Sequence, residues 1–144
     1  MNRHVAAAVA ATVLTAVTAA GCAAVKSSTK PGYEPVHLET PSSTTEPKIV
    51  KFTEEAARRV GVATEVVRAA DGRLVVPSMS LIFEKSGQVL VFQSTDPLTY
   101  HRVPVVLVKD DGTKAQLSSG PAVGSRVVTV GANQVWGAEQ GVGH

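Results

Sequence analysis

The chain has 144 residues, of which 44% are hydrophobic, 18% charged and 4% aromatic. This length allows one ordinary domain with a tail and excludes a large multidomain enzyme. The formal charge is +2, from 14 basic and 12 acidic residues, and such a balance gives no basic patch for nucleic acid. The single cysteine, Cys22, excludes an internal disulfide and a cysteine-cluster metal site.

Residues 1–21 have the three parts of a secretory signal. Arg3 supplies a positive start, and the apolar stretch 5–20 is shorter than the roughly 20 residues that span a bilayer. The small residues 19–21 before Cys22 resemble a bacterial lipobox, in which the cysteine thiol receives a diacylglyceryl group and becomes the new N-terminus. We therefore predict an exported protein that Cys22 anchors in the lipid bilayer, facing the extracytoplasmic side. An uncleaved membrane helix is the alternative.

Residues 22–47 follow the signal and are rich in proline, serine and threonine. They contain few large apolar side chains, so burial cannot offset the entropy of ordering them. We predict that the lipidated cysteine begins an extended, mostly disordered tether. At roughly 3 Å per residue in a proline-rich chain, the tether would hold a domain several tens of Å above the membrane.

The remaining residues, 48–144, contain 19 valines in 97 positions, which favours strands. Turn signals occur at short intervals between the strand candidates. We expect a mostly β domain, a small barrel, roll or sandwich, with one or two short helices. The predicted strands cover residues 62–68, 74–76, 79–84, 88–93, 99–108, 114–117 and 127–130.

Two strand patterns are more specific. Residues 89–92 are apolar at four consecutive positions, which indicates a strand that is covered on both faces. Pro104 interrupts the valine-rich run 103–108, and a proline inside a strand indicates an edge or a bulge.

Two short helices interrupt the β pattern. Thr53 can cap the first helix, which has acidic residues in its first turn and basic residues in its last and ends at Gly61. The second is expected around residues 132–136 and ends at Gly137.

No common catalytic motif is present: the sequence lacks a nucleophile elbow, a phosphate loop, a metalloprotease helix and a dinucleotide fingerprint. The glycine-containing run 120–124 lacks the ending that a phosphate cradle needs. Asp110 and Asp111 precede Gly112 and are best explained by hairpin turn chemistry. We therefore predict a non-catalytic protein without a cofactor. The histidines are too scattered to suggest a metal site.

The candidate binding residues are Tyr100, His101, Arg102 and Trp136. The first three are consecutive residues of the predicted strand 99–108 and have apolar residues on both sides. An ordinary strand histidine is the alternative for His101, and a core position is the alternative for Trp136, the only tryptophan.

Several motifs follow one another along the folded part. They are Gly-Arg-Leu-Val-Val-Pro-Ser-Met-Ser-Leu-Ile at 72–82, Gly-Gln-Val-Leu-Val-Phe at 87–92, and the stretches 95–105, 119–132 and 136–144. In this order they resemble the last domain of periplasmic adaptor subunits, the membrane fusion proteins of resistance-nodulation-division efflux pumps. Residues 53–64 are similar to a segment near the start of the same adaptors.

In that family the membrane-proximal domain is assembled from both chain ends, with other domains inserted between them. Here residues 69–72 would join the two ends directly, by a tight turn. The resemblance implies a reduced membrane-proximal domain that docks on an inner-membrane efflux transporter without catalysis. The alternative is a stand-alone envelope lipoprotein that binds a ligand or has a structural role, since function does not follow from fold.

Overall fold

The computed structural model describes residues 34–40 and 47–142, which belong to one unit of structure, Gly32–His144. The predicted signal peptide, Cys22 and most of the predicted tether lie outside the described residues. The described part is mostly β, as predicted, and forms a curled antiparallel sheet, a half-barrel, with two α-helices. Neither of these helices is long and apolar enough to cross a membrane.

The elements alternate irregularly along the chain. The helices are α1 (Glu54–Val60) and α2 (Ala132–Glu139). The strands are β1 (Val36–Glu39), β2 (Ile49–Phe52), β3 (Ala63–Val66), β4 (Arg68–Ala70), β5 (Arg73–Pro77), β6 (Ile82–Phe83), β7 (Val89–Asp96), β8 (Thr99–Asp110), β9 (Lys114–Ser119) and β10 (Arg126–Val130). Neighbouring strands follow the order β3-β10-β7-β8-β9-β5-β4, while β6 pairs with β7, β2 with β8, and β1 with β2.

Strand β7 is buried on both faces, which confirms the prediction from its four consecutive apolar residues. Leu90 and Phe92 pack in a cluster with residues of α1 and α2. Val91, whose side chain points the opposite way, packs in a second cluster with residues of β5, β9 and β10. One core therefore lies between the sheet and the helices, and the other lies inside the curl of the sheet.

Strand β8 changes partner along its length. Its first residues pair with β2 as far as His101, and it pairs with β9 from Val106 onward, with shifts of register beyond Val106. Pro104 lies between these two pairings. The structure agrees with the predicted edge or bulge, because a proline has no N–H to donate to a ladder.

The stretches before and after residues 69–72 form one sheet. Strand β2 pairs with β8, and β3 pairs with β10. Asp71 and Gly72 join β4 to β5 and have φ angles of 52° and 72°, as the two central residues of a type I′ hairpin turn require. The predicted tight turn is therefore confirmed.

Helix α1 follows its predicted capping pattern. The Thr53 hydroxyl accepts a hydrogen bond from the Ala56 N–H at 3.2 Å, and Gly61 ends the helix in the left-handed conformation. Helix α2 differs from the prediction, because it continues through Gly137 to Glu139. Glycine lowers helix stability by roughly 1 kcal/mol without preventing a helix that packs well.

The predicted elements need correction at four places. Residues 62–68, predicted as one strand, form β3 and β4 with Val67 between them, and β2 was not predicted as a strand. Residues 36–39, assigned to the disordered tether, form β1, since the side chains of Val36 and Leu38 pack against the core beneath the helices. Residues 79–84 are not one strand: Ser78–Ser80 form a 3₁₀ turn, followed by the two residues of β6. The Ser80 hydroxyl donates to the Pro77 carbonyl at 2.7 Å, a local bond that competes with strand pairing.

Gly131 joins β10 to α2 and lies close to the end of α1. Its φ angle is 83°, in the left-handed region. A Cβ atom at this position would lie 2.8 Å from Cγ1 of Val60 and 3.3 Å from Cγ2 of Val62. A side chain here would therefore be disfavoured both by the backbone and by its neighbours.

Gly131→Ala and Gly72→Ala separate these two penalties. Both positions have a positive φ, which costs an alanine about 1 kcal/mol, but a Cβ at Gly72 would meet no atom within 4 Å. The clash at Gly131 should add about 1–3 kcal/mol. We expect Gly131→Ala to lower the free energy of unfolding more than Gly72→Ala, as measured by urea denaturation. Equal losses would contradict the close packing at Gly131.

Candidate functional site

An open cleft of about 490 Å³ lies at the C-terminal end of α2. We call it the α2 cleft. It brings together the residue before β2, the loop between β6 and β7, one side chain of β8 and the last turn of α2. The charged and aromatic residues that line it are Lys48, Glu84, Lys85, Arg102, Trp136 and Glu139. Two of the four candidates from the sequence, Arg102 and Trp136, therefore meet in one place.

The position of Arg102 follows from the register of the sheet. Arg102 pairs with Phe92 across β7 and β8, and paired residues share a face. Phe92 belongs to the core covered by α2, so Arg102 lies on the same side as that helix. Its side chain is about two-fifths exposed, and its guanidinium reaches two carboxylates: Nη1 lies 3.3 Å from Oε1 of Glu84, and Nε lies 3.3 Å from Oε1 of Glu139.

Glu139 is the most unusual residue of the cleft, because its side chain is only 1% exposed. The contact with Arg102 has the distance of an ion pair but not the geometry of a hydrogen bond. Within the described residues, Oε1 of Glu139 accepts no hydrogen bond. The interactions of the carboxyl group within the protein therefore only partly replace the hydrogen bonds to water that it loses on burial.

The electrostatic environment disfavours the ionised form of this carboxyl group. Burial raises the pKa of Glu139 above its ordinary value, although the nearby charges of Arg102 and Lys48 act in the opposite direction. Glu139 is also the last residue of α2, at the negative end of the helix dipole, where a negative charge is unfavourable. Glu139 therefore keeps its proton to a higher pH than a glutamate at the surface.

Trp136 precedes Glu139 by three residues, so both side chains lie on one face of α2. Its ring packs against the core beneath the helices. Its indole Nε1 is buried and has no hydrogen-bond partner among the described residues. Trp136 and Glu139 thus each have a buried polar atom without a hydrogen-bond partner, and a buried polar group left in this state costs about 1–3 kcal/mol.

The other two candidates lie elsewhere. Tyr100 is buried, and its ring packs edge-to-face on Phe52 with 5.9 Å between ring centroids. Burial raises the pKa of its phenol. His101 is half-buried in the ladder between Ile49 and Gln93, where burial lowers its pKa. Neither residue is among those that line the α2 cleft.

Lys48, Glu84, Lys85 and Glu139 were not predicted from the sequence. Glu139 could have been singled out only if the second helix had been predicted to continue past Gly137, since its negative charge then occupies the end of the helix that favours a cation. The other three come from segments distant in sequence, so only the fold brings them together.

The chain matches no protein-family model, no curated protein and no solved structure. The resemblance to adaptor subunits therefore depends on the motifs of the sequence alone. In residues 34–40 and 47–142, no three His, Cys, Asp or Glu side chains come together as a metal site.

Glu139→Gln should reveal the raised pKa as a change in the pH dependence of stability. The folded protein holds the Glu139 proton at pH values where the unfolded chain, with a pKa of about 4.3, has lost it. The contribution of Glu139 to stability is therefore greatest at low pH and falls as the pH rises through the folded-state pKa.

We expect the free energy of unfolding of Glu139→Gln, relative to wild type, to increase between about pH 4 and pH 8. Urea denaturation at each pH measures the difference. Glu65→Gln, at an exposed position of β3, controls for the loss of one carboxyl group. A difference for Glu139→Gln that stays constant with pH would contradict the raised pKa.

Proposed function

We propose that this protein is a lipid-anchored, non-catalytic domain that docks on an inner-membrane efflux transporter, as a reduced form of an adaptor's membrane-proximal domain. One observation carries the proposal: strands β2 and β3, from before the Asp71–Gly72 turn, pair with β8 and β10 from after it. The resemblance to adaptors implies this assembly from two separate stretches of chain. The two-residue turn joins these two stretches directly, without an inserted domain.

Exposed apolar side chains support a docking role. Met79 and Phe83 are 59% and 60% exposed, and they flank the buried residues Leu81 and Ile82. This segment overlaps the motif at 72–82 that resembles the adaptors. Full burial of one such side chain by a partner contributes about 1.5–3 kcal/mol, so two of them could anchor a contact.

The proposed anchor is lipid on Cys22, and Cys22→Ala tests it. We expect the variant to move from the detergent phase to the aqueous phase in a temperature-induced detergent partition, because it lacks the thiol that receives the acyl chains. Ser28→Ala, which keeps the cysteine, should stay in the detergent phase. A Cys22→Ala protein that remains in the detergent phase would favour the uncleaved membrane helix.

Site-specific cross-linking tests the partner. A photo-reactive phenylalanine analogue at position 83 should form an adduct with a multi-span membrane protein in intact cells, because this side chain is exposed within the proposed contact segment. The same analogue at Asp111, in the exposed hairpin after β8, is the matched control, and we expect its yield to be several-fold lower. Adducts at position 83 that contain only further copies of this protein would contradict docking on a transporter.

A stand-alone lipoprotein that binds a small ligand is a second candidate function. The α2 cleft favours it, because Trp136 and Glu139 both line this open cavity and each has a buried polar atom without a hydrogen-bond partner among the described residues. Small-molecule sites commonly have volumes of about 300–1,000 Å³, and the cleft falls in this range.

A further inference from the structure

We propose that the α2 cleft binds a small ligand that carries a carboxylate, held by Arg102, the indole N–H of Trp136 and the carboxyl group of Glu139. This inference rests on the second candidate function, ligand binding, and does not depend on docking.

The cleft has an excess of positive charge, since three cationic side chains and two carboxylates line it. Arg102 uses Nε and Nη1 for the two carboxylates, and among the described residues its Nη2 makes no contact of this kind. In the same part of the chain Lys85 makes no hydrogen bond or ion pair. Lys48 donates only to the backbone carbonyl of Glu139, at 3.4 Å. Cationic donors therefore remain available after both carboxylates have an ionic partner, which favours an anion.

The buried polar groups of Trp136 and Glu139 also favour an anionic ligand. The indole N–H of Trp136 is a donor only, so it requires an acceptor. Glu139 becomes a donor when it carries its proton, and burial raises its pKa toward that form. The two oxygens of a carboxylate can accept hydrogen bonds from both groups.

An amine ligand fits less well. It would suit an ionised Glu139, but it would leave the indole N–H of Trp136 unpaired and would bring a further positive charge among Lys48, Lys85 and Arg102. A neutral amide has an acceptor for the indole but gains nothing from the cationic side chains. Of the three chemistries, the carboxylate satisfies the largest number of groups.

Binding of an anion should also be linked to protonation of Glu139. The charged groups around Glu139 are Arg102 from β8, Lys48 before β2, and Glu84 and Lys85 from the loop after β6. An anion in the cleft adds a negative charge beside Glu139 and makes its ionised form still less favourable. The ligand should therefore bind more tightly as the pH falls, for as long as its own carboxylate stays ionised.

Benzoate, benzamide and benzylamine are suitable probes, because they share a ring and differ in charge. Trp136 is the only tryptophan, so its indole N–H gives a single indole signal in the NMR spectrum of the full chain in a non-ionic detergent. We expect benzoate to shift this signal and to bind about tenfold more tightly at pH 5.5 than at pH 7.5. Benzamide and benzylamine should bind at least about tenfold more weakly than benzoate at pH 5.5.

Variants assign the contacts. Lys85→Gln at the exposed rim should weaken benzoate binding several-fold, whereas Lys109→Gln removes the same charge from an exposed position of β8 outside the cleft and should have no effect. Trp136→Phe should weaken binding about tenfold in a calorimetric titration, because the indole donor is lost. Glu139→Gln keeps an N–H donor, so it should retain benzoate binding and lose its pH dependence. If a buried variant fails to fold, the Lys85→Gln and Lys109→Gln pair still tests the proposal.

The outcomes separate this inference from the function on which it rests. Tighter binding of benzamide or benzylamine than of benzoate would overturn the carboxylate assignment and leave ligand binding in place. No binding of any probe, with an unmoved Trp136 signal, would mean that the cleft holds water only and would overturn both. Benzoate binding that ignores pH or Lys85→Gln would place the ligand outside the α2 cleft.

Discussion

Burial of β7 on both faces is the constraint on which the rest of the structure depends. Leu90 and Phe92 support the core beneath the two helices, while Val91 supports the core inside the curl. A strand with one polar face could support only one of these cores. Helix α2 packs on β2 and β7, and this packing places Trp136 and Glu139 in the same cleft as the side chain of Arg102. The α2 cleft therefore exists because a central strand is apolar on both sides.

Local patterns in the sequence predicted the parts of the fold that local forces determine. The valine-rich runs became strands, Thr53 and Gly61 bounded α1, and Asp71–Gly72 formed the hairpin turn. The errors occurred where distant contacts outweigh composition. Strand β1 lies in a proline-rich stretch that indicates disorder, and it is ordered because β2 offers it a free edge and a core contact.

The site was predicted only in part for the same reason. Arg102 and Trp136 were predicted as binding residues from their residue types. That both line one cleft depends on the register of β8 and on the packing of α2 against the sheet. Glu84 and Glu139 are 55 positions apart in the sequence, yet both lie at 3.3 Å from the same guanidinium. A buried ion pair of this kind contributes little net stability, because desolvation offsets most of its attraction. The importance of the arrangement is the set of donors that it leaves unused.

If Cys22 carries the proposed lipid, strand β1 also limits how far the domain can be from the membrane. Because β1 joins the sheet, only residues 23–33 lie between Cys22 and Glu34, the first described residue. A chain extends by at most about 3.6 Å per residue, so a lipid on Cys22 would confine the start of the folded body to within about 40 Å of the headgroups. The proposed docking would then be restricted to the part of a transporter that lies next to the bilayer.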